Sequence, residues 1–212
     1  MSLIHTELSG ADFNNIYKDT KFYKFLNNNL KHYDFQYTLG LNIDTILFNP
    51  NSTCSEGGLY FCEESKCHMF WRQYGTKLAL IEIDDDARVY VEKDKFKANK
   101  LVITEIVDFE NISDNFWISI LSKDGYALQF VKEQTEEICK LAVQQDCNAL
   151  EYVKEQTEEL CKLSVQQNGN ALEYVKEQTE EICKLAVQQN GYALYYVKEQ
   201  TYEIYKLAVQ QW

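Results

Sequence analysis

Apolar and polar positions follow two different periods along this chain. Through the first hundred residues the apolar positions gather in short runs: "FQYTLGL", "GGLYF", "KLALIEI", "ARVYV" and "KLVITEI". Such runs are rich in β-branched and aromatic residues and bounded by polar or glycine-containing breaks, the pattern of strands. In "KLALIEI", Ala79, Ile81 and Ile83 alternate with Leu78, Leu80 and Glu82. Both sets are largely apolar, which predicts a central strand covered on both faces. Two further segments read as helical. "DTKFYKFLNNNLKHY" puts Phe22, Phe25 and Leu26 at helical spacing behind a cap at Asp19 or Thr20. "ESKCHMFWRQYG" has Gly75 as a stop signal. Together these predict a compact α+β domain within residues 1–112.

From Ser113 onward the period changes. "VKEQTEEICKLAVQQ" begins at Val131, returns at Val153 with two changes, again at Val175, and more loosely at Val197. The repeat is 22 residues. Thr135, Thr157, Thr179 and Thr201 can each cap a first turn, and the glutamates behind the first three suit the positive end of the helix dipole. Behind Thr135, one face carries Ile138, Leu141, Ala142 and Gln145, widened by Cys139 and Val143. Glu136 and Lys140 stand four apart in the favourable order. Asn168-Gly169 and Asn190-Gly191 are expected to end their helices in left-handed conformation. A second short helix follows, as in "NALEYVK", with Ala149, Tyr152 and Val153 on one face. Helices of about ten residues do not persist alone in water, so the units must stack to bury their apolar faces. Counting back from Thr135 reaches Ser113, where "SDNFWISILSKDGYALQFV" fits the same frame as a divergent first unit. The expected fold is an α+β N-terminal domain, 1–112, followed by an all-α solenoid of short two-helix repeats, 113–212. Its units span 113–134, 135–156, 157–178, 179–200 and a shortened 201–212.

Composition narrows the function classes. The chain has 212 residues, a net charge of −12 and seven cysteines, with a pI near 4.7. Phosphate backbones and anionic lipid surfaces are bound by clustered Lys and Arg, so neither nucleic acid nor a membrane is an expected partner. No apolar run approaches the length of a membrane span, and "MSLIHTELSG" lacks the basic start and apolar stretch of a secretory signal. The cysteines then read as reduced thiols of an intracellular protein.

Candidate chemistry is sparse. Cys54, Cys62, Cys67 and His68 are the right ligand types for structural zinc. They lack a C-x2-C knuckle, and "GGLYF" would turn Cys62 into a core, so ordinary packing is preferred and no metal is expected. Cys139, Cys161 and Cys183 recur one layer apart, too far for disulfides, and read as small buried hydrophobes. Asp84 to Asp86 read as a solvated turn. Gly57-Gly58 read as a bend, since no P-loop Lys follows. No catalytic residue and no cofactor is assigned.

Two resemblances extend this picture. "ALEYVKEQTEEICKLAVQQNG" resembles a repeat family of unknown function common in giant viruses and some protists. The likeness covers about Tyr126 to Gln211 and departs from it at Asp146-Cys147 and Trp212. "FQYTLGLNIDTILFNPNSTCSEGGLYF", with "ALIEIDDDARVYV", resembles the module that precedes ankyrin arrays in Mimivirus-type proteins. That implies a shared module ahead of interchangeable repeats, with the host cytoplasm as its setting. An enzymatic alternative comes from the "GGLYF" strand and the preceding His32-Tyr33, through which the N-terminal module slightly resembles ADP-ribosyltransferase-like folds; that resemblance would make His32 and Glu105 the candidate residues.

The expected function is non-catalytic: a scaffold that binds a protein partner or itself. Residues with no predicted stacking role are the candidate partner face: Lys132, Lys154 and Lys176, Glu133, Glu155 and Glu177, and pairs such as Gln144-Gln145. Differences among the copies point to the last unit. Tyr195, Tyr202 and Tyr205 replace Gln or Glu, Glu and Cys of the earlier copies, and Trp212 follows. Aromatic residues of this kind are enriched at interface centres, so a homodimer joined through these four residues is expected.

Overall fold

The computed structural model describes residues 3–50 and 55–211, so Cys54 and Trp212 lie outside the described residues. The chain divides into two compact units, Met1–Ile112 and Ser113–Trp212.

The first unit is an antiparallel sheet with little helix. In chain order it comprises β1 (Thr6–Ser9), α1 (Gly10–Ile16), β2 (Phe22–Leu26), β3 (Lys31–His32), β4 (Phe35–Gln36), β5 (Gly40–Ile43) and β6 (Leu59–Glu63). It continues with α2 (Trp71–Tyr74), β7 (Lys77–Glu82), β8 (Arg88–Val91), β9 (Phe96–Ala98) and β10 (Lys100–Asp108). Eight strands form one sheet in the order β1-β8-β9-β6-β2-β7-β10-β5, while β3 and β4 pair separately as a hairpin. As its two apolar faces require, β7 is central, between β2 and β10.

Phe22–Leu26 is a strand, against the helical expectation. It pairs with β6 through Phe22↔Glu63 and with β7 through Phe22↔Ile81 to Leu26↔Lys77. Phe22, Phe25 and Leu26 are all buried. A strand covered on both faces shows no clean alternation, and here its apolar spacing coincides with that of a helix. The aromatic content and two flanking partners decide the outcome. Helix α1 was not foreseen, although its cap was legible: Ser9 Oγ accepts from the Asp12 amide at 3.1 Å. "ESKCHMFWRQYG" forms a 3₁₀ turn at Glu64–Met69 and then α2, which ends at Gly75 with φ of 132°. The core is aromatic: the Phe13 and Phe22 rings lie 5.0 Å apart, and those of Phe61 and Phe96 5.4 Å. The Asp84–Asp86 turn has Lys100 bound to Asp86 at 2.5 Å. Gly58 is required where it stands, because a Cβ there would lie 2.5 Å from Lys97 Cγ.

The second unit is the repeat array. Helices α3 (Asp114–Leu121), α4 (Glu136–Gln145), α5 (Glu158–Gln167), α6 (Glu180–Gln189) and α7 (Tyr202–Val209) alternate with six-residue 3₁₀ turns: Gly125–Phe130, Cys147–Tyr152, Gly169–Tyr174 and Gly191–Tyr196. Each threonine caps as expected, with Thr135 Oγ1 accepting from the Ile138 amide at 3.3 Å. The second short helix of each unit is of the 3₁₀ type. Six residues close few i→i−4 bonds, and carbonyls at its far end have partners elsewhere in the array.

Asn-Gly also works differently from the expectation. Asn168 is extended, at φ −151° and ψ 114°, and its side chain accepts from the Asn170 amide at 3.0 Å. It starts the 3₁₀ turn rather than ending α5 in left-handed conformation. Gly169 is there for close approach, since a Cβ would stand 2.3 Å from the Ala186 carbonyl of the next unit. In one unit Cys147 takes this glycine position, and there Ser164 replaces the facing alanine; its hydroxyl donates to the Cys147 carbonyl at 2.9 Å. The two departures from the repeat meet each other. Between the helices, Ala142, Val143, Ala149 and Leu150 and their counterparts Val165, Ala171 and Leu172 are fully buried.

Candidate interaction surface

The array is joined by a repeated polar bracket. Gln156 Nε2 donates to the carbonyls of Leu150, in its own unit, at 3.0 Å and of Tyr174, in the next, at 2.9 Å. Its Oε1 accepts from the Lys176 amide at 2.9 Å and from the Cys161 thiol at 3.7 Å. Gln134 and Gln178 repeat the pattern with Tyr152 and Lys154, and with Tyr196 and Lys198. One side chain thus satisfies two carbonyls and an amide that would otherwise face an apolar seam. Cys139, Cys161 and Cys183 are buried beside these glutamines, and burial pushes all three thiols up.

Much of the expected partner face has a structural use. Lys154 Nζ donates to the Lys132 carbonyl at 2.5 Å, and Lys176 Nζ to the Val153 carbonyl at 2.8 Å, each reaching back one unit. Gln167 Nε2 reaches the Gln144 carbonyl at 3.0 Å, and Gln189 Oε1 accepts from the Gly169 amide at 2.6 Å. These side chains hold layers together, a stacking role that the sequence pattern did not assign to them. Glu133, Glu155 and Glu177 are exposed. Lys140 bonds Glu159 of the following unit at 2.9 Å rather than Glu136, whereas Lys184 pairs with Glu180 four residues earlier at 2.8 Å. Such exposed pairs contribute little to stability.

The last unit differs in a way that comparison with its predecessors makes measurable. Tyr205 takes the place of Cys183 and is 55% exposed where Cys183 is 3%; Val209 takes the place of Val187 and is 53% exposed where Val187 is fully buried. Leu194, equivalent to the buried Leu172, is half-buried. Tyr205 and Val209 on α7, with Leu194 on the preceding 3₁₀ turn, define the outer stacking face of the array. Tyr195 and Tyr202 are also exposed, but their counterparts Glu173 and Glu180 are exposed too, so they lie on the flank of the array rather than on its stacking face. Among the described residues, Gln200 keeps its bond to the Leu194 carbonyl, at 3.1 Å, and bonds no group of a following unit. Val209 and Leu194 carried a legible signal, since their counterparts repeat at buried positions in every earlier unit.

In the first unit, Cys62 and Cys67 are buried with their sulfurs 3.7 Å apart, while His68 Nδ1 lies 2.9 Å from the Ser65 carbonyl. Among the described residues no three His, Cys, Asp or Glu side chains converge as a metal ion requires; Cys54 is outside them. Burial and the neighbouring Cys62 push the Cys67 thiol well up. His32 is on the β3–β4 hairpin against Lys24, and Glu105 is exposed on β10. Among the described residues no helix is long and apolar enough to cross a membrane.

Residues 113–157 and 157–201 match the family described as Domain of unknown function (DUF4116), and residues 20–114 match Domain of unknown function (DUF7666). Each of the first two matches spans two of the structural units. No curated protein and no solved structure matches the chain. The chain thus resembles, in its two units, two different families of unknown function.

Proposed function

We propose that this protein is a non-catalytic interaction scaffold whose repeat array self-associates through the outer face of α7, giving a homodimer. The burial contrast at the last unit supports this reading: Tyr205 and Val209 are about half exposed at positions that every earlier unit buries. Full burial of one such side chain contributes about 1.5–3 kcal/mol, and a two-fold contact counts each residue twice. Tyr195 and Tyr202 would flank that contact. A second protein with an equivalent stacking surface is the other partner this face would accept. The free thiols and the giant-virus resemblance support an intracellular setting in a host cytoplasm.

Light scattering on the full chain tests the proposal. At tens of micromolar the expected mass is twice 24.9 kDa. Tyr205→Ser combined with Val209→Ser should return it to one chain while leaving the helical spectrum intact. A single-chain mass for the unaltered protein defeats the dimer.

A further inference from the structure

One side chain of the first unit has no part in the interaction reading. Lys24 sits mid-strand in β2, between β6 and β7, and is only 4% exposed. A buried ammonium normally meets a carboxylate. Among the described residues none lies within ion-pair distance of Lys24. Its amine instead donates to the Tyr60 carbonyl at 2.7 Å and lies 3.0 Å from His32 Nδ1 and 4.8 Å from the centre of the Tyr37 ring. Lys95 adds a second cation nearby, 4.2 Å from the Tyr60 ring, and its own counter-charge, Glu92, is 3.8 Å from it.

This amine lines a small cleft of about 50 Å³ that opens to solvent. Its walls are aromatic: Tyr23, Phe25, Tyr33, Tyr60, Phe61 and Phe70. Cys62, His32 and Lys95 complete the lining, and no carboxylate belongs to it. The hairpin at its edge is held in unusual backbone conformations. Leu30 and Tyr33 have φ of 56° and 52°, a region that bulky side chains rarely enter and that tends to be retained at working sites. Between them His32 faces the amine, and the Tyr33 ring lies tilted 4.6 Å from the His32 ring.

We propose that this cleft binds a small aromatic carboxylate, its carboxylate entering to supply the counter-charge that Lys24 lacks and its ring resting against the aromatic side chains at the mouth, where Tyr33 is exposed. Two ammonium groups suit a monoanion. A phosphate would call for more donors, such as an Arg fork or a nest of backbone amides, and the lining has neither. Ring-on-ring contacts in such a pocket add to simple burial. The electrostatics agree with the geometry. Burial holds the Lys24 amine down to about 7; Cys62 acts against it, and Lys95 adds a smaller push in the same direction as burial. Burial first, then Lys24 and Lys95, depress His32 to about 3, so it faces the amine as a neutral acceptor. An anion placed against Lys24 reverses its depression, with His32, Lys95, Cys62, Tyr37 and Tyr60 as the surrounding titratable groups. Ligand binding above pH 7 is therefore coupled to proton uptake.

Titrating the full chain with benzoate at pH 8, in two buffers of different ionisation enthalpy, tests this. Benzoate should bind and take up protons. Benzyl alcohol, which has the ring without the charge, should bind about tenfold or more weakly, as loss of a charge-assisted hydrogen bond implies. Lys24→Met should reduce benzoate affinity by a similar factor. If that variant fails to fold, Lys95→Met and Tyr33→Ser, at the edge of the cleft, should each weaken benzoate severalfold. The proposal is overturned by benzoate silence at about 10 mM, well above a millimolar Kd, or by equal binding of benzoate and benzyl alcohol. It is equally overturned if benzaldehyde forms a borohydride-trapped adduct on Lys24 while benzoate does nothing, which would make the amine a carbonyl-capturing group instead.

Discussion

Replacing Gln156 by Ala removes a side chain that bonds groups in two consecutive units. The Leu150 and Tyr174 carbonyls lose their donor, and the Lys176 amide loses its acceptor. Each net hydrogen bond contributes about 0.5–1.5 kcal/mol. Gln156 is half-buried, so water can replace part of the loss, and about 2–4 kcal/mol is expected in total. For a unit of this size that lowers the helical transition by about 10–20 °C. Gln200 is the internal control. It makes one such bond, to the Leu194 carbonyl, and is exposed, so Gln200→Ala should cost about 0.5 kcal/mol. Gln156→Glu keeps the acceptors but turns oxygens toward two carbonyls, and at neutral pH it should destabilise at least as much as Ala. Thermal melts followed at 222 nm compare the three. If Gln156→Ala and Gln200→Ala shift the transition equally, the bracket is decoration and the coupling between units lies elsewhere.

Gly169→Ala should destabilise the array by about 2 kcal/mol or more, because its Cβ would meet the Ala186 carbonyl at 2.3 Å; urea titration of the variant measures this. The first unit should gain stability as pH rises from about 7 toward 10.5, since the unfolded chain holds a proton on Lys24 that the folded chain has released. The slope is at most about 1.4 kcal/mol per pH unit, and Lys24→Met should flatten it in urea titrations at pH 7, 8.5 and 10. In the other direction His32, neutral when folded, should cost stability as pH falls from 6.5 toward 3. Cys62 and Cys67 should resist alkylation in the folded protein and react together on denaturation, because burial keeps the Cys67 thiol protonated; mass spectrometry of iodoacetamide-treated protein reads this out.

How much of this was legible depended on whether a residue's neighbours were local. The two-faced run Leu78–Ile83 declared a central strand, and the threonine caps and 22-residue period declared the stacked units. Phe22–Leu26 was misread because burial on both faces erases the alternation that marks a strand. The second short helices were legible but not their 3₁₀ type, since six apolar-patterned residues do not distinguish 3₁₀ from α. Gln134, Gln156 and Gln178 drew no expectation from the sequence. Their partners are carbonyls 6 and 18 residues away, which no local pattern exposes, and near-identical copies cannot single out one shared residue over another. Tyr205 was visible because it broke the copy at a core position, whereas Tyr195 and Tyr202 broke it on the flank. Lys24, alone among the apolar residues of "FYKFL", carried a signal that went unread: a charge mid-strand between two partner strands must be buried.

The central claim is that no unit of the array is stable without its neighbours, and native-state hydrogen exchange on the full chain tests it most directly. Amides of α4, α5 and α6 should open with one shared free energy, those of α7 more easily, and Gln178→Ala should lower protection on both sides of the substituted unit. Helices that exchange independently of one another, with Gln178→Ala felt only within its own unit, would contradict it.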